Sequence, residues 1–135
     1  MDEDSVVWED SFSVGFAPID DQHRTLVDMI NELFQACKAG VVEADIAFLG
    51  IVRKALDYAG THFADEEDYL SEANYPHLDE QKEQHEAFVE EVQKTIEEFE
   101  AGNIEPVYFA RYLKKWLLNH IAVYDKRYSS YLAQS

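Results

Sequence analysis

The sequence predicts an all-α protein, an antiparallel up-down four-helix bundle with an extended N-terminal arm. Three observations carry that expectation. Apolar residues recur at steps of three and four through most of the 135-residue chain. The apolar stretches are punctuated by Gly40, by Asn74-Tyr75-Pro76 and by Gly102-Asn103, residue types that stop helices. The connections between stretches are only a few residues long, which joins neighbouring helices antiparallel. The length is that of one domain, expected over residues 1–135, with the arm at 1–17 and the bundle at about 18–132.

Residues 1–17 carry Val6, Val7, Trp8, Phe12, Val14 and Phe16 without helical spacing, which suits an extended arm laid over a core. From Pro18 the pattern changes. Leu26, Ile30, Leu33, Phe34 and Cys37 form one apolar helical face that Gly40 closes, and Asp20 or Asp21 is expected to cap its start. Cys37 is the only cysteine, so no internal disulfide forms, and it is expected in the core as a small apolar residue. A second helix over about 44–73 turns Leu49, Val52, Leu56, Phe63 and Leu70 inward. Pro76 fits the first turn of a third helix running to about Ala101, with Phe88, Val92, Ile96 and Phe99 spaced by four, four and three. The fourth helix runs from about Pro106 to about Tyr131, burying Leu113, Trp116, Leu117, His120, Ile121 and Tyr124. Tyr108, Tyr124 and Tyr128 read as packing residues, and Glu97-Glu98-Phe99-Glu100 as a solvated face.

Composition narrows the function classes. With 28 acidic against 11 basic residues the formal charge is −17, a surface that repels phosphate backbones and anionic lipid heads. Neither nucleic acid nor membrane is an expected partner, and no feature identifies a partner protein. Met1-Asp2-Glu3-Asp4 is acidic and no apolar run follows it, which argues against a secretory signal. No apolar stretch approaches the roughly twenty residues of a membrane span. A cytoplasmic protein is expected.

The chemistry sits in a set of histidines and carboxylates. His62 and Glu66 are four apart and share one helix face, as do Gln81 and His85. His120 and Asp125 are five apart, about 140° on an ideal helix. For both to reach one centre, the aspartate must come in from the side or the helix must widen into a π-type turn. With His23 on the first helix, each helix contributes a candidate near its apolar stripe. Imidazole plus carboxylate suits iron, manganese or zinc, and two carboxylates can bridge a pair of ions. A closed structural zinc site would more often recruit cysteine. Ferritin-like di-iron bundles use Glu-x-x-His pairs, and none of the five histidines here has a glutamate three residues before it.

The stretches Asp20-Asp21-Gln22-His23, His62-Phe63-Ala64-Asp65-Glu66-Glu67, Gln81-Lys82-Glu83-Gln84-His85 and Trp116-Leu117-Leu118-Asn119-His120, with Asp125 beyond, resemble the hemerythrin family over nearly the whole chain. The resemblance implies two iron ions, oxo- or hydroxo-bridged, one held by His23 and His62 and the other by His85 and His120, with Glu66 and Asp125 between them. It implies that the first iron keeps an open position for dioxygen, behind an apolar wall of Phe63, Trp116, Leu117 and Ile121.

One position departs from the family pattern, because Gln81 stands where a further iron-binding histidine is expected. Gln81 ligates through its amide oxygen, or water or an anion takes the position, or the second site loses affinity. His77, one turn earlier, reads as a surface or loop residue. The resemblance implies a non-haem di-iron oxygen-binding protein, a carrier, store or sensor of dioxygen or of another small diatomic or peroxide ligand, binding rather than turning it over. The alternatives are a di-iron peroxidase or nitric oxide reductase using an extra open position at Gln81, a redox-responsive signalling module, and a metal-free structural bundle.

Overall fold

The computed structural model describes residues 5–134. Residues 1–4, whose acidity argues against a secretory signal, lie outside the described residues. Five α-helical segments follow one another: α1 (Ala17–Ala39), α2 (Val41–Glu72), α3 (Leu78–Glu100), α4 (Pro106–Asn119) and α5 (Lys126–Gln134). A π-helical turn, His120–Asp125, joins α4 to α5, and the backbone stays helical on both sides of it. The result is four antiparallel rods and, among the described residues, no strand.

The junctions explain where each rod stops. Gly40 alone joins α1 to α2, at φ 141° and ψ 170°, a conformation essentially confined to glycine. At the end of α2 Asn74 takes φ 57°, while the Tyr75 N–H bonds the Leu70 carbonyl at 3.0 Å and the Asn74 N–H bonds the Ser71 carbonyl at 3.1 Å. Both bonds of a Schellman cap are thereby made. Gly102 and Asn103 repeat it after α3, with Asn103 N–H to Glu98 carbonyl at 2.8 Å.

Two expectations at helix starts are corrected. Pro76 lies ahead of α3, in a turn closed by the Leu78 N–H on the Tyr75 carbonyl at 3.4 Å. A residue before proline avoids helical backbone, and proline's fixed φ suits the second position of a turn. Neither Asp20 nor Asp21 caps α1, because Phe16 holds the cap position without a side-chain bond and Asp20 already lies in the first turn. Instead Asp20 turns back to the arm, accepting from the Val14 N–H at 2.9 Å and the Ser13 hydroxyl at 2.6 Å.

The described part of the arm is extended apart from a short 3-10 turn at Asp10–Phe12. Asn31 fixes it by pairing with both the N–H and the carbonyl of Val6, at 2.7 and 2.8 Å, and Arg24 lies 4.6 Å over the Trp8 ring. From the other end Ser129 donates to the Val14 carbonyl at 2.8 Å.

α1 packs on α2 and α4, and α2 on α3. Phe88 and Trp116, 4.1 Å apart, tie α3 to α4. The apolar residues form two clusters, a large one reaching from Val6 and Leu26 to Phe109 and Ile121, and a small one of Val14, Ile19, Leu70, Tyr75 and Tyr128. Cys37 is only half-buried, at the rim of the far end of the bundle, so its expected core position is corrected. Leu49, Leu56, Ile96, Phe99, Trp116 and Tyr124 are likewise half-buried at the edge of the core. Tyr108 is 61% exposed rather than packed. No described helix is long and apolar enough to cross a membrane.

Candidate metal centre

Each rod is interrupted once between the two apolar clusters, and the interruption is where its polar candidates lie. His23 falls between Ile19 and Leu26, His62 and Glu66 between Ala59 and Leu70, Gln81 and His85 between Leu78 and Phe88, and His120 and Asp125 between Leu117 and Tyr128. All seven are buried, five of them with no exposure at all. The four rods thus bring one polar layer together inside an otherwise apolar bundle.

The π turn makes the last pair possible. The Lys126 N–H bonds the carbonyl of Ile121, five residues back, where an α-helix would use the fourth. The wider winding returns Asp125 to the face of His120, and its Oδ2 lies 3.2 Å from the His120 Nε2 and 3.0 Å from the His23 Nε2. Glu66 reaches the others. Its Oε1 is 3.0 Å from the His85 Nε2 and 3.4 Å from the His120 Nε2, and its Oε2 is 3.8 and 3.9 Å from the Nε2 atoms of His62 and His23.

The outward nitrogens are engaged by residues on neighbouring rods. His62 Nδ1 donates to the Gln22 amide oxygen at 2.7 Å, His85 Nδ1 to the Glu67 carboxylate at 2.7 Å, and His120 Nδ1 to the Gln84 amide oxygen at 2.5 Å. The Gln22 amide in turn donates to Asp65 at 2.8 Å. These partners were missed in the sequence, yet each sits directly beside a candidate: Gln22 before His23, Glu67 after Glu66, Gln84 before His85. A one-residue step turns a side chain about 100° around the helix, from the bundle axis toward the adjacent rod. Tyr128, read as packing, is fully buried and donates its hydroxyl to Glu66 Oε2 at 3.1 Å.

Electrostatics follow from this burial. Desolvation lowers His23, and it lowers His62 to about 3, against the opposing pull of Glu66, so both imidazoles are neutral near pH 7. Burial alone would raise Glu66, but His120, His85 and His62 together hold it well below the usual carboxylate range. Asp125 is pushed well above that range by burial and by the charge of Glu66. With its Nδ1–H committed to the Gln22 amide oxygen, neutral His62 presents its Nε2 lone pair to the Glu66 carboxylate, acceptor against acceptor. His23 Nε2, His62 Nε2, His120 Nε2, Gln81 Oε1 and both Asp125 oxygens make no hydrogen bond within this buried layer. Each such atom would cost about 1–3 kcal/mol if left without a partner.

Cations resolve that conflict. Two ligand atoms about 2.1 Å from one ion and at right angles to it are themselves about 3 Å apart, near the shorter separations here. His23, His62, Glu66 and His120 each offer one donor within 4.8 Å of all the others. The residues present therefore fit a metal. Beside the layer, Phe63 stacks on the His85 ring at 3.9 Å and Trp116 on the His120 ring at 4.7 Å. Phe63, Trp116 and Leu117 also line an apolar cavity of about 30 Å³ that extends toward Leu26 and Val92. Ile121, the fourth expected wall residue, is buried but does not line that cavity. His77 stands outside the layer, exposed at the start of α3 and 3.7 Å from Glu80.

Comparison with known proteins gives a consistent picture. A family model described as hemerythrin HHE cation binding domain matches residues 14–132. A bacteriohemerythrin of Stenotrophomonas maltophilia is 33% identical over 92% of this chain and 79% of its own length. One of Pseudomonas aeruginosa is 35% identical over 91% of this chain and 78% of its own length. A crystal structure of wild-type hemerythrin superposes with a TM-score of 0.79 at 28% identity, covering 93% of this chain and 95% of that one.

Proposed function

The chain belongs to the hemerythrin family, and from that premise we propose that it is a non-haem di-iron protein that binds dioxygen reversibly, as a carrier, store or sensor. His23 and His62 would hold one iron and His85 and His120 the other, with Glu66 and Asp125 between them. Bound iron supplies the reversible electron transfer that dioxygen binding requires. The observation that supports this reading best is the convergence of four buried imidazole Nε2 atoms on two buried carboxylates, with the Nε2 atoms of His23, His62 and His120 left without a hydrogen bond.

The chain's own residues then have separable tasks. Gln22, Glu67 and Gln84 fix the tautomer and tilt of three imidazoles, leaving the Nε2 lone pairs facing inward. Burial keeps His23 and His62 unprotonated, the form a metal needs. The Tyr128 hydroxyl positions Glu66. Phe63, Trp116 and Leu117 keep water and its protons from the layer, which favours release of dioxygen over irreversible oxidation.

The test is anaerobic loading with ferrous iron, followed by cycles of oxygen and argon. A pair of irons per chain and a visible charge-transfer band that appears with oxygen and fades under argon is the expected result. A band that never appears, or a first exposure that oxidises the iron for good, would overturn the oxygen-binding reading. Sustained consumption of hydrogen peroxide with an electron donor would point to an enzyme instead.

A further inference from the structure

Gln81 is the one amide among the seven candidates of the buried layer. Its Nε2 donates to the backbone carbonyl of Tyr124 at 3.2 Å, inside the π turn. Its Oε1 is buried without a partner, in a residue only 1% exposed. Tyr124 immediately precedes Asp125, and Gln81 sits one helical turn before His85 on the same face of α3. The amide is therefore held beside the layer from two rods. Its orientation is also fixed, because turning it over would set Oε1 against the Tyr124 carbonyl and lose the hydrogen bond.

A π turn supplies the anchor. The Tyr124 carbonyl that receives the Gln81 amide lies inside that turn, one residue before Asp125. The same local widening that returns Asp125 to the layer thus places a carbonyl where Gln81 can be pinned. An amide oxygen is a neutral, hard donor, and it binds ferrous iron less strongly than imidazole nitrogen.

Resting on the di-iron reading above, we propose that Gln81 is an oxygen ligand of the metal position shared by His85 and His120, oriented by the Tyr124 carbonyl. The two metal positions are then unequal by construction. One is bound by imidazole and carboxylate, and the other has an amide oxygen besides.

Anaerobic titration of the full chain with ferrous iron against a competing chelator tests this without reference to oxygen binding. Wild type, Gln81→His and Gln81→Leu are compared, with helical circular dichroism of each apoprotein establishing that all three fold. Wild type is expected to take up two irons. Gln81→His should tighten the binding of one of them, and Gln81→Leu should weaken the binding of that same one by at least about tenfold, the scale on which even outer partners of a metal ligand act. Binding of the other should be unchanged in both. X-ray absorption of the fully loaded chains should show fewer oxygen donors per iron in Gln81→His than in wild type. Identical uptake by wild type and Gln81→Leu, both folded, would overturn the amide ligand while leaving the di-iron reading intact. Failure of all three chains to bind a second iron would overturn both.

Discussion

At the scale of single residues, the layer separates groups whose atoms converge on its centre from groups that aim them, and the two should respond differently to mutation. Gln22 on α1 lies outside the convergence, but it holds His62 Nδ1 at 2.7 Å and is itself held by Asp65 at 2.8 Å. Gln22→Leu keeps the volume and removes the acceptor, so iron affinity should fall by about 10–100-fold with little loss of apoprotein stability; equal affinities in a chelator competition would count against the aiming role. Protons give a second readout. His62 is lowered to about 3 by burial, whereas an ordinary histidine titrates near 6.5, so between those pH values the unfolded chain binds a proton that the folded chain refuses. Its contribution to apoprotein stability is therefore complete above pH 6.5 and is lost as pH falls toward 3. His23 acts in the same direction and Asp125, raised, in the opposite one. Removing one group isolates its share: in metal-free His62→Gln the melting temperature should fall less steeply between pH 6.5 and pH 4 than in metal-free wild type. Parallel curves would show that His62 takes no part in the acid response. The ligand candidates were legible because their types and spacings are unusual. Gln22, Gln84 and Glu67 were not, because a neighbour one step along a helix faces a different rod, and only the bundle shows which.

At the scale of elements, what the sequence leaves open is winding and joints. Apolar spacing located all four rods, since a stripe at steps of three and four has no other way to be buried. It could not choose between an aspartate arriving from the side and a widened helix, because both satisfy H-x-x-x-x-D. The Lys126 to Ile121 bond settles the choice for the π turn. Helix starts were misread for a physical reason as well, since Asp20 is a good capping residue type but the arm offers it Ser13 and Val14, and a buried carboxylate takes the partners nearest to it. Gly40 was read as a stop, and the structure makes it a one-residue hinge between antiparallel rods. At φ 141° and ψ 170° any side chain is strained, and an added Cβ would lie 2.4 Å from Glu43 Oε2, a flexible carboxylate able to move aside. Backbone strain is then the main cost. Gly40→Ala should destabilise the protein by about 1–3 kcal/mol in chemical denaturation. It should leave iron affinity unchanged, because His23 lies about 25 Å along α1 from the joint at 1.5 Å per residue. An unchanged denaturation midpoint would mean that the joint rearranges freely.

For the whole molecule, the fold and the site depend on each other in one direction more than the other. Two apolar clusters hold the ends of the bundle, and between them lies a buried layer of four histidines, one glutamine and two carboxylates, several of whose inward atoms make no hydrogen bond. A chain of net charge −17 adds a general self-repulsion. The apolar clusters suffice to form the bundle, so the metal-free chain should still be helical, but its weakest layer crosses every rod. Cations bind the folded layer and have no comparable site in the unfolded chain, so loading stabilises by mass action, about 2.7 kcal/mol when free iron is 100 times its dissociation constant. Removing iron with a chelator should therefore lower the melting temperature by several degrees while leaving the helical signal at room temperature nearly intact. The loss should be greatest in hydrogen-exchange protection around His62, Glu66 and His120, and least around Leu33, Phe48 and Phe109 in the large apolar cluster. Equal melting temperatures for the loaded and stripped chains, with iron content verified in each, would show that the layer is indifferent to cations and that its acceptors find another partner.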